Sequence, residues 1–194
     1  MTVMILGLVI FLGMHSVRIV ADDWRRDQIA RLGEWSWKGV YSLVSVVGLA
    51  LAIWGFGQMR LDPTFVWFPP MGLRHGVALL MLPAFILLVA AYVPGNAIRA
   101  RLGHPMLLAV KLWAFAHLLA NGRLGDIVFF GAFLAWAIVA FAAARRRDRA
   151  AGLVAPAGRW PATLATLVIG LVAYWLFAMH LHVWVTGVPA IAMG

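Results

Sequence analysis

Cysteine is absent from this chain. That excludes disulfides, zinc sites built on thiolates and a haem held through a thiolate. Charge is scarce as well. Only 12% of the 194 residues are charged, where an ordinary soluble domain has about a quarter. No polar segment is long enough to fold separately, so one domain over residues 1–194 is expected. Internal repeats and low-complexity stretches are also missing.

What fills the chain instead is apolar: 64% of residues are hydrophobic and the mean hydropathy is +0.92. The long uncharged runs predict an all-α fold, a polytopic transmembrane helical bundle of about six helices. The expected spans are 2–20, 40–57, 76–93, 104–120, 126–144 and 162–185. The first resembles a signal peptide in apolarity, but it lacks a basic leader and a small-residue cleavage site before Asp22. It reads as a retained helix. The second carries Ser42, Ser45, Gly48, Ala52 and Gly55, small residues that allow close helix contact, including contact between two copies. Pro83 predicts a kink in the third.

The connections read as loops: DDWRRDQIARLGEWSWKG, then an interfacial MRLDPTFVWFPPMGLRHG, and later RRRDR with a Gly/Pro stretch reaching Pro161. A net charge of +9 could point to nucleic acid, but the basic residues lie in short loops between apolar runs. The odd connections hold twelve of the sixteen, the even ones only Arg60, Arg74 and Arg123, and Lys111 lies inside the fourth span. This bias keeps the odd loops in the cytoplasm and puts both termini in the periplasm. The reading is a multi-pass protein of a bacterial inner membrane, with the lipid bilayer as its partner and no role in nucleic-acid binding.

Ionisable groups at membrane depth are costly, so they mark candidate sites. Residues 102–121, LGHPMLLAVKLWAFAHLLAN, concentrate them. His104 and Lys111 are seven apart and share a face, whereas His117 lies about 220° round from His104, beside Asn121. An inner group (His15, His104, Lys111) and an outer group (His75, His117, His180, His182) follow from depth, with His117 about 20 Å beyond His104. Imidazoles at such positions can ligate haem iron or a divalent metal, and tryptophan, phenylalanine and methionine would wall an apolar pocket. The structural alternative is that each histidine bonds a backbone carbonyl or sits in a helix interface. For Lys111 the candidate partners are Asp126, the Asp22/Asp23 pair, a carbonyl or an anionic ligand.

FLGMHSVRIV near the start, GHPMLLAVKLWAFAHLLANG in the centre and the six-helix plan together resemble the NnrU family of bacterial membrane proteins. The same domain is similar to the core of the plant 15-cis-zeta-carotene isomerase. The resemblance implies a link to denitrification, through nitrite and nitric oxide reduction, or isomerase-like redox chemistry on a hydrophobic small-molecule substrate. It also implies haem b, with His15 and His117 at the two matching ligand positions. His104 with His15, or His117 with His180, are alternative pairs on depth alone. The histidine-proline element looks like the cofactor motif RHPxYxG of membrane lipid methyltransferases, but here it reads GHPMLLA and the last loop lacks the usual acidic and tyrosine elements. A divergent lipid-modifying methyltransferase and a non-catalytic accessory or assembly factor are the alternatives to a haem protein, and in any of these readings the small-residue face of the second span allows a homo-oligomer.

Overall fold

The computed structural model describes residues 1–70 and 72–190, the side chain of Arg74 excepted. The helices in chain order are α1 (Thr2–Val20), α2 (Asp22–Leu32), α3 (Glu34–Met59), α4 (Leu73–Ala90), α5 (Ala97–Leu102), α6 (Pro105–Ala120), α7 (Leu124–Ala150) and α8 (Trp160–Leu176). A π-helical turn, Phe177–Leu181, then leads into α9 (His182–Thr186). Among the described residues the fold is all-α, with no more than an isolated bridge between Phe65 and Arg123.

Four helical stretches are long and apolar enough to cross a membrane: Thr2–Val20, Glu34–Met59, Leu124–Ala150 and Trp160–Thr186. His75–Ala90 and Pro105–Ala120 are apolar but shorter. The last four residues of the tail lie outside the described residues.

Three connections read as loops are helical at least in part, 94–103 through α5. Most of 21–39 forms α2 and the start of α3, where Lys38 pairs with Glu34 one turn earlier at 2.7 Å. The RRRDR cluster is the last part of α7 rather than a connection. Alanine and arginine are strong helix formers, and a cluster of cations suits the negative end of a helix dipole. A 27-residue helix runs about 40 Å, so its basic end extends past a hydrocarbon layer of about 30 Å.

The chain packs as two compact units, 1–67 with 122–136, and 68–121 with 137–194. In the first, α1 packs along α3, and α2 touches both. The contact is made by the small-residue stripe of α3. Ser45, Gly48, Ala52 and Gly55 are buried, while Leu43, Val46, Ile53 and Trp54 on other faces are exposed, as suits lipid. A Cβ at Gly48 would lie 2.7 Å from the backbone nitrogen of Phe11, and one at Gly55 would lie 2.7 Å from Cα of Met4. Glycine is required there because backbone meets backbone. The stripe that could have served two copies is therefore taken up by α1 of the same chain.

In the second unit α4 lies against α6 and α8. Gly170 of α8 abuts Ile86, and the Tyr174 hydroxyl donates to the Ala78 carbonyl at 3.0 Å. Asn96, 1% exposed, ties the turn between α4 and α5. Its Nδ2 donates to the carbonyls of Ala90 (2.9 Å) and Val93 (2.6 Å), and its Oδ1 accepts from the Arg99 amide (2.8 Å). Asn96→Ala removes an N-cap and strands two carbonyls, so a loss of about 2–4 kcal/mol is expected. Asn96→Asp should cost less because it keeps the cap, and thermal unfolding in detergent micelles would rank the two.

Candidate functional site

The central motif breaks between two helices. Gly103 ends α5 with a φ of 80°, a conformation L side chains rarely adopt, and Pro105 opens α6 where no amide donor is needed. His104 between them is the N-cap residue of α6. Its Nε2 donates to the Asp148 carboxylate at 2.8 Å, and both side chains are partly buried. The Lys111 ammonium sits over the Phe141 ring, 4.5 Å from its centroid, and the His104 ring meets that same ring edge-on at 6.4 Å. A cation over an aromatic face contributes about 0.5–2 kcal/mol. No carboxylate pairs with Lys111 among the described residues. Asp126, one of its expected partners, is 2% exposed and bound to Arg123 at 2.6 Å.

Asp148 and Phe141 were not among the candidates from sequence. The signal for Asp148 was a lone acid within a run of arginines, which reads equally well as a solvated loop.

His117 lies in the last turn of α6. Its Nδ1 is 2.8 Å from the Trp113 carbonyl, four residues back. A carbonyl only accepts, so Nδ1 carries the proton and the ring lone pair is on Nε2. Asn121 caps the helix: its Nδ2 and its amide both donate to the His117 carbonyl, at 2.9 and 3.0 Å. The asparagine side chain therefore fixes the backbone of His117.

His15, in the other unit, repeats the device. Its Nδ1 donates to the Phe11 carbonyl at 2.8 Å, which again leaves the lone pair on Nε2. Aromatic rings surround it: Phe11 at 4.2 Å, Tyr41 at 5.2 Å and Trp136 at 5.9 Å between centroids. The two histidines belong to separate units, 1–67 with 122–136 for His15 and 68–121 with 137–194 for His117.

The remaining histidines are arranged differently. His180 lies in the π-helical turn, edge-on to Trp175 at 5.4 Å. His182 uses Nδ1 to donate to the Val188 carbonyl at 2.7 Å, six residues ahead. His75 is exposed in the first turn of α4.

A ring N–H held by a carbonyl, with the other nitrogen presenting its lone pair, is the arrangement that orients iron-ligating histidines. His15, His117 and His182 all hold Nδ1–H on a backbone carbonyl, the first two on the carbonyl four residues back, which is also the bond expected of a histidine with a structural role in a helix, whereas His104 uses Nε2 toward Asp148. The His15 and His117 imidazoles, each taken in its own unit, therefore have the tautomer a ligating ring would need. Among the described residues no three histidine or acidic side chains converge as ligands of a bare metal ion, whereas haem asks the protein for one or two.

These two histidines fall within the elements that the resemblance rests on, and the family comparison spans both units. The family model described as NnrU protein matches residues 3–190. The chain belongs to the NnrU family. No curated protein and no solved structure matches it. For this NnrU member the family match covers every residue of the candidate site, from His15 to His180.

Proposed function

We propose that this NnrU family member is a multi-pass inner-membrane protein that binds haem b. His117 and His15 are each proposed as an iron ligand, on the geometry of its own unit. The supporting observation is the bond both make from Nδ1 to the carbonyl four residues back, which fixes the tautomer with the ring lone pair on Nε2. Asn121 holds the His117 backbone in place, and Phe11, Tyr41 and Trp136 give His15 a largely apolar setting. Haem in such a setting supplies one-electron exchange, or polarisation of a conjugated apolar substrate, the chemistry of an isomerase-like reaction or of support for nitrite and nitric oxide reduction.

The topology proposed with it has six spans, odd connections in the cytoplasm and both termini in the periplasm. The arginines of α2, α5 and the end of α7 support it through the positive-inside rule.

Purified protein should show a Soret band that shifts on reduction. His117→Ala should lower its haem content at least about tenfold, since loss of even a supporting group commonly costs that much. His117→Ala protein with an unchanged Soret band and full haem content would remove His117 as a ligand. Native protein that carries no haem and takes none up would favour the non-catalytic accessory role.

A further inference from the structure

Ion pairs between an arginine and an aspartate three positions away recur in this chain. Arg25 pairs with Asp22, Arg26 with Asp23 and Arg123 with Asp126. Arg145 has Asp148 at the same spacing and does not pair with it, because the Asp148 carboxylate is taken by His104 at 2.8 Å. Among the described residues Arg145 has neither an ion pair nor a hydrogen bond. Its guanidinium lies against Gly103 instead, with Nη1 2.9 Å from the point a Cβ would occupy.

Lys111 is a second cation without a carboxylate. Its ammonium rests on the Phe141 ring, which also meets the His104 ring. Phe141, Arg145 and Asp148 share a face of α7 by their spacing, as His104 and Lys111 share a face of α6. The contacts of residues 103, 104 and 111 with 145, 148 and 141 therefore put both cations along one seam, inside the unit 68–121 with 137–194. Helical side chains lean toward the N-terminus, so Lys111 reaches back to the His104 end of that seam.

Two cations against one engaged carboxylate leave the seam positive. Both side chains are partly buried and partly open to the surface, so an outside group can reach them. Uncompensated charge at a membrane is costly, and an anion at this place would offset it. Toward the middle of both helices the surface turns apolar. Phe115, four residues beyond Lys111, is 45% exposed, and Ile138, three before Phe141, is 49% exposed. A free phosphate would satisfy the cations alone. An anion that carries acyl chains would also cover the apolar surface beside them.

We propose that Lys111 and Arg145 form a site for the phosphate of an anionic phospholipid, with its acyl chains over Phe115 and Ile138. A guanidinium forks onto two phosphate oxygens, and an ammonium adds a compact charge. Basic recesses between transmembrane helices hold lipid headgroups in this manner. The site uses neither His15 nor His117 and does not depend on haem.

The test is native mass spectrometry of the full-length protein in a neutral detergent, titrated with phosphatidylglycerol and, separately, with phosphatidylcholine. Phosphatidylglycerol should bind saturably and in preference to phosphatidylcholine. Lys111→Met and Arg145→Gln should each weaken its binding about three- to tenfold, whereas Arg149→Gln, at the exposed end of the same helix, should change it little. Lys111→Arg and Arg145→Lys keep the charge and should retain most of the affinity. Inorganic phosphate in large excess should leave the lipid bound, and displacement would reassign the site to a free phosphate. Equal binding of the two lipids by the native protein overturns the proposal whatever the variants do. A loss with Arg149→Gln as large as with Arg145→Gln overturns it too, since diffuse charge would then account for the binding.

Discussion

Gly55→Val in α3 is expected to force α1 and α3 apart. The added Cβ would fall 2.7 Å from Cα of Met4 and closer still to its backbone nitrogen, and backbone cannot move aside as a side-chain tip can. Overpacking of a core usually costs about 1–3 kcal/mol, and the upper end or beyond applies when both neighbours are main chain. Gly7 and Gly48 repeat the arrangement along the same seam, so Gly7→Val should behave alike. Gly39→Ala provides the control, because a Cβ there meets nothing within 4 Å, and alanine in a helix interior is favoured over glycine by about 0.5–1 kcal/mol. Melting curves in micelles would separate the outcomes. If Gly55→Val melts with the native protein, the close approach of α1 and α3 is wrong.

Asp126→Ala should be about as damaging. The carboxylate is 2% exposed in the first turn of α7, and it accepts from Nε of Arg123 at 2.6 Å and from Nη2 at 3.3 Å. Removing one member of a buried pair leaves the other uncompensated, at a cost of about 3–5 kcal/mol, and the lower end applies here because the Arg123 side chain is 23% exposed and can reach water. The turn that carries Arg123 is also tied by backbone to the segment after α3. The Leu124 amide donates to Thr64, and the Gly122 carbonyl accepts from Val66, both at 2.8 Å. A displaced arginine would therefore loosen 64–66 as well, which amide exchange at Val66 and Leu124 would report. The double variant Asp126→Ala with Arg123→Ala should recover part of the loss, because no charge is left stranded. Equal stability of native and Asp126→Ala protein would show that the pair contributes little.

The small-residue stripe of α3 illustrates how far sequence carried and where it stopped. Its spacing announced a close helix contact, and the contact exists. Which helix supplies the other side was not written in the stripe, because glycine and alanine specify distance and not identity. Ser42 belonged to the same list, yet it is exposed. The charged residues show the complementary limit. Lys111 faces a ring rather than any of the partners charge alone suggested, and Asp148 reaches His104 across forty-four positions of chain. Charge attraction is not specific to sequence position, so such pairings are decided by which helices lie together. Asn121 stood out as a polar residue near His117; only its bonds show that it serves the helix end.

By itself the sequence determined the helical class, the apolar stretches, the family and the histidines worth weighing. Each of these depends on composition, period or local motif, all of which are properties of neighbouring residues. Tertiary structure alone decided that arginine-rich 145–149 continues a helix and that α1 covers the glycine seam. It also set the Nδ1–H of His15, His117 and His182 on backbone carbonyls and brought Asp148 against His104. Those outcomes rest on which side chains occupy the same few ångströms, and packing determines that after the local signals have been used.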